Sequence, residues 1–387
     1  MDIALISPVN PFDPRDGHRL AVLSDVYAAL DNNLRLGIVS FSYGDDHESV
    51  VTSGEHKRIN AAGGGFSLRL LRGLLKGLPP SAERFYTEES QRQLSDALNL
   101  WRPRVVLIDD ASVGGFIPLV RDILPSAKIV LRSHNVMHDV RTEQSQRTQG
   151  LSKPAVKLDC DRYIEFEKRT VESCDAHWTI TDADAARMLD LYKRPAECLS
   201  VSIAMDRYQA LRLDEGKKNG FVHVGTMDFR RRSDLCSFLT QDWPRVLGAD
   251  EGAALTLAGE LRGQNIPARN VTYTGRVKSD TDVYSRGRFA LNFQSSPGGV
   301  KLKSLTSLAA GRTLVSTKEG VEGIAIASGR EFLELEGFLS NPHLSQILRD
   351  VRATQPIADA GRQYVSERHS RACIAKQFLR LLEGIPA

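Results

Sequence analysis

Cysteine is scarce in this sequence and its spacing pairs nothing: Cys160, Cys174, Cys198, Cys236 and Cys373 are scattered, with no Cys-x-x-Cys among them. Neither a disulfide framework nor a cysteine zinc site is indicated, and reduced thiols in a cytoplasmic protein are the expectation. No run approaches the roughly 18 uninterrupted apolar residues of a membrane span. The stretch MDIALISPVNPFDP has no basic segment ahead of its short apolar run, so no secretory signal is expected. A membrane, if one takes part, is touched from outside. A large excess of one charge is missing too: net charge is +3 over 387 residues, without a long basic stripe, which speaks against nucleic acid as a partner. Short-period repeats and low-complexity tracts are absent.

What is present is alternation. Short apolar runs (IALISP, LRLGIVSF, RVVLID, AKIVLRSHN, AHWTIT, ECLSVSI) alternate with helix-period segments through the first 205 residues. That pattern predicts a parallel sheet covered on both faces. The first helical segment, HRLAVLSDVYAALDNN, places Leu20, Leu23, Tyr27 and Leu30 on one stripe, expected to face the core. The polar segment 206–220 reads as a linker. A second series of strands follows over 221–355: GFVHVG, AALTLAG, NVTYTGRV, FALNFQ and RTLVST. Residues 356–387 close the chain in helices expected to pack back on the first domain, with Ile374, Phe378, Leu381 and Leu382 on one face. Two open α/β domains place ligands beyond the carboxyl ends of their strands.

The segment SSPGGVKLKSLTSLAAG, Ser295 to Gly311, lies between a strand and a helix. Gly298 and Gly299 let the backbone turn and a ligand approach. The helix opening near Val300 offers free N–H groups and a positive dipole end, to which Lys301 and Lys303 add cations. Such a place suits a diphosphate; the plain alternative is a loop with solvated lysines. A second basic cluster follows the first strand of the second domain. There GFVHVGTMDFRRRSDL gives Gly225 in the turn, then Arg230, Arg231 and Arg232, and Ser233 as the expected N-cap.

The ordered segments FVHVGTMDFRRRSD, LTLAGE, NVTYTGRV and FALNFQSSPGGVKLKSLTSLAAGRTLVSTKEGVEGI resemble the donor-binding half of retaining GT-B glycosyltransferases (family 4-like, group 1). RSHNVMHDVR resembles the His-Asn-x-Glu strand end of their first half. The resemblance covers roughly residues 1–330. It implies two Rossmann-like parallel-sheet domains facing an interdomain cleft. It also implies sugar transfer, with retention, from a nucleotide-sugar donor to a glycan or lipid-linked glycan. In that family basic side chains and a helix N-terminus neutralise the leaving diphosphate without metal or cofactor. Carried onto this chain, the expected catalytic set is His134, Lys301 and Arg230. Donor contacts are expected from Gly17, Gly225, Arg231, Arg232, Gly298, Gly299, Val300, Lys303, Thr306 and Glu322, and acceptor-side contacts from Asp16, His18 and Asn135.

The sequence also departs from the family. The paired glutamates of this loop fall here on Gly298 and Thr306, and the glutamate of His-Asn-x-Glu on Met137. Glu319 and Glu322 are candidate substitutes. A catalytically silent binding or scaffold protein is the alternative these losses keep open; a sugar-nucleotide epimerase is weaker, for want of a carboxylate pair. No Asp-x-Asp stands in a cleft loop, since the one at Asp182–Asp184 reads as a helix cap, and no metal is expected. Finally, FSLRLLRGLLKGLPP, residues 66–80, mixes leucines with Arg69, Arg72 and Lys76. A basic apolar helix of this kind suits an anionic inner-leaflet surface, or else packs its leucines on the domain.

Overall fold

The apolar runs become the strands of two wholly parallel sheets. The computed structural model describes residues 1–13, 16–42, 55–63, 65–213, 219–227, 229–261, 263–295 and 300–386, with the side chains of Phe66, Ser67, Phe229 and Arg230 outside that description. The chain divides into two units, Met1–Ser202 with Arg371–Ala387, and Ile203–Ser370.

In the first unit the strands are β1 (Ile3–Ser7), β2 (Leu36–Ser42), β3 (Glu55–Asn60), β4 (Val105–Asp109), β5 (Lys128–Ser133), β6 (Ala176–Thr179) and β7 (Glu197–Cys198). Their order is β3-β2-β1-β4-β5-β6-β7. Strand β1 pairs with β2 on one side and β4 on the other, so the winding reverses between β1 and β4. Alternate residues serve opposite faces. Ile3 and Leu5 join Val22, Val26, Trp178 and Phe378 in one core cluster, while Ala4 and Ile6 join Phe41, Phe85 and Phe116 in the other. Strand β3, sequence EHKRIN, carries no apolar alternation and escapes sequence reading. It is an edge strand held by its parallel ladder to β2 and by side-chain bonds such as Ser42 Oγ to Asn60 Oδ1 at 2.9 Å.

The helix Gly17–Asp31 corrects the stripe drawn from sequence. Leu20 and Tyr27 are exposed, and the buried side is Ala21, Val22, Ser24, Asp25, Val26, Ala28 and Ala29. These small residues let the helix approach both the sheet and the terminal helix Arg371–Glu383, which packs along it. A carboxylate would not be expected on that face. Asp25 is there because fully buried Arg132 on β5 donates to it, Nε to Oδ2 at 2.8 Å, and donates Nη1 to the Thr179 carbonyl at 2.7 Å.

The second unit holds β8 (Gly220–Val224), β9 (Ala254–Ala258), β10 (Val271–Gly275), β11 (Phe289–Asn292), β12 (Thr313–Ser316) and β13 (Leu333–Glu334), in the order β10-β9-β8-β11-β12-β13. The reversal lies between β8 and β11. An aromatic core supports it: Phe221 and Phe289 stack at 4.7 Å, and Trp243 meets Phe221 edge-on at 5.5 Å.

The segment 356–387, grouped as one piece from sequence, divides at Arg371. Helix Gln355–Arg368 packs on the second unit through the helix Leu302–Ala309 and β12. Helix Arg371–Glu383 returns to the first unit, where Arg371 Nη2 reaches Asp31 Oδ1 at 2.7 Å and Ile374, Phe378 and Leu381 are buried. Among the described residues, no helix is long and apolar enough to cross a membrane.

Candidate functional site

Each sheet presents one place where the winding reverses, which in open parallel sheets is where ligands are commonly held. In the second unit that place lies between the ends of β8 and β11. Gly225 follows β8. A Cβ built on it would stand 3.5 Å from Lys303 Nζ and 3.6 Å from His223 Nε2, so both nitrogens border this glycine. His223 Nδ1 donates to the Leu291 carbonyl at 2.9 Å, which leaves Nε2 as an acceptor beside the Lys303 ammonium. Burial, the Lys303 charge and Arg231 pull this imidazole down to about 3, so it is neutral and the local charge is the lysine's.

Lys303 sits in the first turn of the helix Leu302–Ala309, whose N-cap is Lys301. That turn is fixed from below. Buried Asn292, at the end of β11, donates to Ser304 Oγ at 2.9 Å and to the Gly320 carbonyl at 2.8 Å. Lys301 is buried, at 6% exposure, which speaks against the plain alternative of a solvated loop lysine there. Val300 and Lys303 are half-buried.

The arginine cluster spreads out. Arg231 Nη1 donates to the Thr226 carbonyl at 3.2 Å, at the turn after β8. Arg232 lies against Gly263, where a Cβ would be 3.4 Å from its Cζ. The Arg230 side chain, Gly298 and Gly299 lie outside the described residues. Ser233 is no N-cap: the helix spans Phe229–Ser237 and the serine is inside it, because the basic run itself forms the first turn.

Thr306, which stands at the second of the resembled family's glutamate positions, has its hydroxyl occupied. Oγ1 donates to the Lys303 carbonyl at 3.0 Å and receives the Tyr284 hydroxyl at 2.9 Å. Glu322 is exposed just past the turn Glu319–Val321 that follows β12.

In the first unit the reversal lies between β1 and β4. Asp109 ends β4, buried, and three side chains converge on its carboxylate. Ser7 Oγ, from the end of β1, donates to Oδ2 at 2.6 Å. His18 Nε2, from the first turn of the helix Gly17–Asp31, is 3.3 Å from Oδ2. His134 Nε2, just past β5, is hydrogen-bonded to Oδ1. The imidazole rings are 4.5 Å apart, and buried His134 keeps an Nδ1 with no partner among the described residues. Burial opposes the His18 charge, but the Asp109 carboxylate outweighs it, with Asp110 and Asp16 behind it, and raises this imidazole to about 9. Burial likewise opposes ionisation of Asp109, and the two imidazoles override it, holding the carboxyl far below its usual range. The next residue, Asp110, takes a left-handed φ of 73° and caps the following turn through Ser112 N at 2.7 Å. With ψ at 143° it lies outside the left-handed helical well, a strained conformation for a residue that carries a Cβ.

Asp16 is exposed and caps the helix, accepting from Arg19 N at 3.0 Å, and Gly17 is exposed beside it. Asn135 is half-buried ahead of the helix Met137–Arg147. The start of this helix is held by a side chain from another helix. Glu167, on the helix Lys153–Ser173, accepts from Met137 N at 2.9 Å and His138 N at 2.8 Å, and Tyr192 donates its hydroxyl at 2.6 Å.

Asp109, Ser7, His223 and Glu167 were not singled out from sequence. The signal for Asp109 was a carboxylate closing the otherwise apolar VVLID, and for His223 a histidine inside the buried strand GFVHV. Asp182–Asp184 does open a helix, Asp182–Tyr192, although the capping side chain is Thr181, which accepts from Asp184 N at 2.9 Å.

With this geometry in place, comparison with solved structures decides the architecture. The fold is GT-B. HepE of Anabaena, solved in complex with UDP, superposes with a TM-score of 0.65 at 10% identity, over 99% of this chain and 100% of that one. Sucrose-phosphate synthase from Thermosynechococcus elongatus gives 0.68 at 13% identity, over 99% and 98%. A TarM variant from S. aureus, in complex with fondaparinux, alpha-GlcNAc-glycerol and UDP, gives 0.67 at 10% identity, over 99% and 100%. No protein-family model matches the sequence, and no curated protein matches it.

Helix Phe66–Lys76 leaves Leu68, Leu71, Leu74 and Leu75 exposed, the last at 81%. Lys76 is turned inward to the Glu83 carboxylate at 3.1 Å and the Tyr86 carbonyl at 2.7 Å, so its charge is already matched. Gly73 is there for space: a Cβ would meet the Leu78 carbonyl oxygen at 2.8 Å.

Proposed function

We propose that the protein is a glycosyltransferase that takes a sugar from a nucleoside-diphosphate donor held by its second unit. One observation carries this reading. At the strand reversal of that unit, the Lys303 ammonium borders Gly225 and His223, on a helix start that also bears Lys301. Fixed cations at a helix N-terminus stabilise the charge that develops on a departing diphosphate. In this reading Lys301, Lys303 and Arg231 take the diphosphate without a bridging metal, and Arg230, Gly298 and Gly299 complete the loop. The UDP carried by HepE and by the TarM variant supports a nucleotide donor. The resemblance to retaining enzymes supports transfer with retention, and the glycan-type ligands of the TarM variant support a glycan or glycolipid acceptor, bound on the first unit near His18 and Asn135. The exposed leucines of helix Phe66–Lys76 support contact with an anionic membrane surface, checked by flotation with anionic vesicles after Leu71→Asp and Leu75→Asp.

Titration calorimetry with UDP and other nucleoside diphosphates, in excess EDTA, tests the donor site. Micromolar binding that is lost in Lys303→Ala is the expected result. Absence of binding across the panel instead assigns the protein to the silent scaffolds. With a donor found, the anomeric configuration of the product, read by NMR, decides retention.

A further inference from the structure

We propose that His18, Asp109 and His134 form a binding site for a divalent transition-metal ion, zinc by preference, wholly within the first unit. The ligand-type atoms of these side chains lie within 4.8 Å of one another, and among the described residues they are the cluster able to offer such a set. The reading does not depend on the donor site, which belongs to the other unit.

The chemistry of the set is specific. Two imidazole nitrogens and one carboxylate oxygen are the borderline donors that zinc, cobalt and nickel select over magnesium or calcium. Ligand atoms about 2 Å from zinc at tetrahedral angles stand roughly 3.3 Å apart. His18 Nε2 and Asp109 Oδ2 are 3.3 Å apart. His134 Nε2 is closer to Oδ1, so ligation there exchanges a direct hydrogen bond for a bond to the ion. Three protein ligands leave a coordination position for water or a hydroxyl group, the arrangement of catalytic rather than structural zinc.

The surroundings support the set. A metal-binding carboxylate is commonly oriented by a further hydrogen bond, and Ser7 Oγ supplies one at 2.6 Å. The cluster occupies the reversal between β1 and β4, where open parallel sheets hold ligands. No side chain here is a surface residue that happens to be near others: Asp109 and His134 are buried, and His18 is half-buried.

The test uses the untagged full chain, stripped with chelator and then reloaded. One equivalent of zinc retained through gel filtration, measured by inductively coupled plasma mass spectrometry, is expected, together with intense visible ligand-field bands on loading with cobalt(II). His18→Ala, at a half-buried position and checked by circular dichroism, should weaken zinc at least tenfold and remove the cobalt bands. Ser7→Ala should weaken zinc less, about tenfold or under. UDP affinity in EDTA should be unchanged in Ser7→Ala. Substoichiometric zinc in the wild type, or a cobalt spectrum no different from the aqueous ion, overturns the site without any variant having to fold. Equal zinc affinity in wild type and a folded His18→Ala overturns it as well. A metal-loaded protein that binds no nucleotide would leave this site standing and remove the donor reading.

Discussion

The two units share a topology and differ in what they place at its reversal. Between β1 and β4 the first unit buries a carboxylate and surrounds it with a hydroxyl and two imidazoles. Between β8 and β11 the second unit gathers ammonium and guanidinium groups around a glycine and a neutral histidine. Parallel winding therefore fixes where a ligand can sit and leaves its charge to a handful of strand-end residues. The difference extends to how each site is held. The first rests on buried charges that satisfy one another, Asp109 with its imidazoles and Asp25 with Arg132. The second rests on neutral scaffolding, Asn292 with Ser304 and Gly320, and in the reading proposed above its cations meet an incoming anion.

If this contrast is right, substitutions in the first unit cost stability and those in the second cost binding or turnover. Arg132→Leu should show the largest effect. It leaves Asp25 buried without its partner, and about 3–5 kcal/mol of unfolding free energy should be lost in urea denaturation. Loss below 1 kcal/mol would mean that the pair does not carry the first unit.

A pH titration sharpens the same contrast. Burial pushes the Glu167 carboxyl up to about 7, against a usual 4.5, although Tyr192 and the Met137 and His138 amides favour its ionised form. The folded chain therefore holds a proton that the unfolded chain has released. This stabilisation is complete below about pH 4.5 and is lost as pH rises through 7, on the order of 3 kcal/mol. Glu167→Gln should flatten the pH dependence of the urea midpoint over that window; an unchanged slope assigns it to other groups.

Lys301→Ala belongs to the second unit and should act on turnover, by roughly 2–4 kcal/mol in the transfer barrier once a donor is in hand. Its burial makes the comparison severe, since a large drop in melting temperature with intact turnover would turn Lys301 into a structural cation. A smaller effect is expected at Thr306. Thr306→Glu restores an acceptor that makes charge-assisted bonds to ribose hydroxyls, and should tighten nucleotide binding several-fold. Because Tyr284 and the Lys303 carbonyl already hold the threonine hydroxyl, weaker binding would show that the pocket has been rebuilt around the smaller residue. The smallest pair tests capping alone. Thr181→Ala removes a true N-cap and should cost about 1 kcal/mol, while Ser233→Ala, inside its helix, should change stability by under about 0.5 kcal/mol.

Sequence by itself determined the parallel α/β class, most of the strands and the two basic stretches. Those are local facts: a strand buried on both faces must be apolar throughout, and a helix start with lysines is written in consecutive residues. Strand β3 escaped because an edge strand made by its ladder needs no apolar pattern. The buried side of helix Gly17–Asp31 was misjudged because packing between a sheet and a second helix selects small residues over large ones. The place of the 356–387 segment, divided between units at Arg371, depends on contacts with residues hundreds of positions away. Above all, only the tertiary structure brought Ser7, His18, Asp109 and His134 onto one carboxylate. They come from three strand ends and a helix start far apart in the chain, and parallel winding, which sets all strand ends on one edge, is what makes them neighbours.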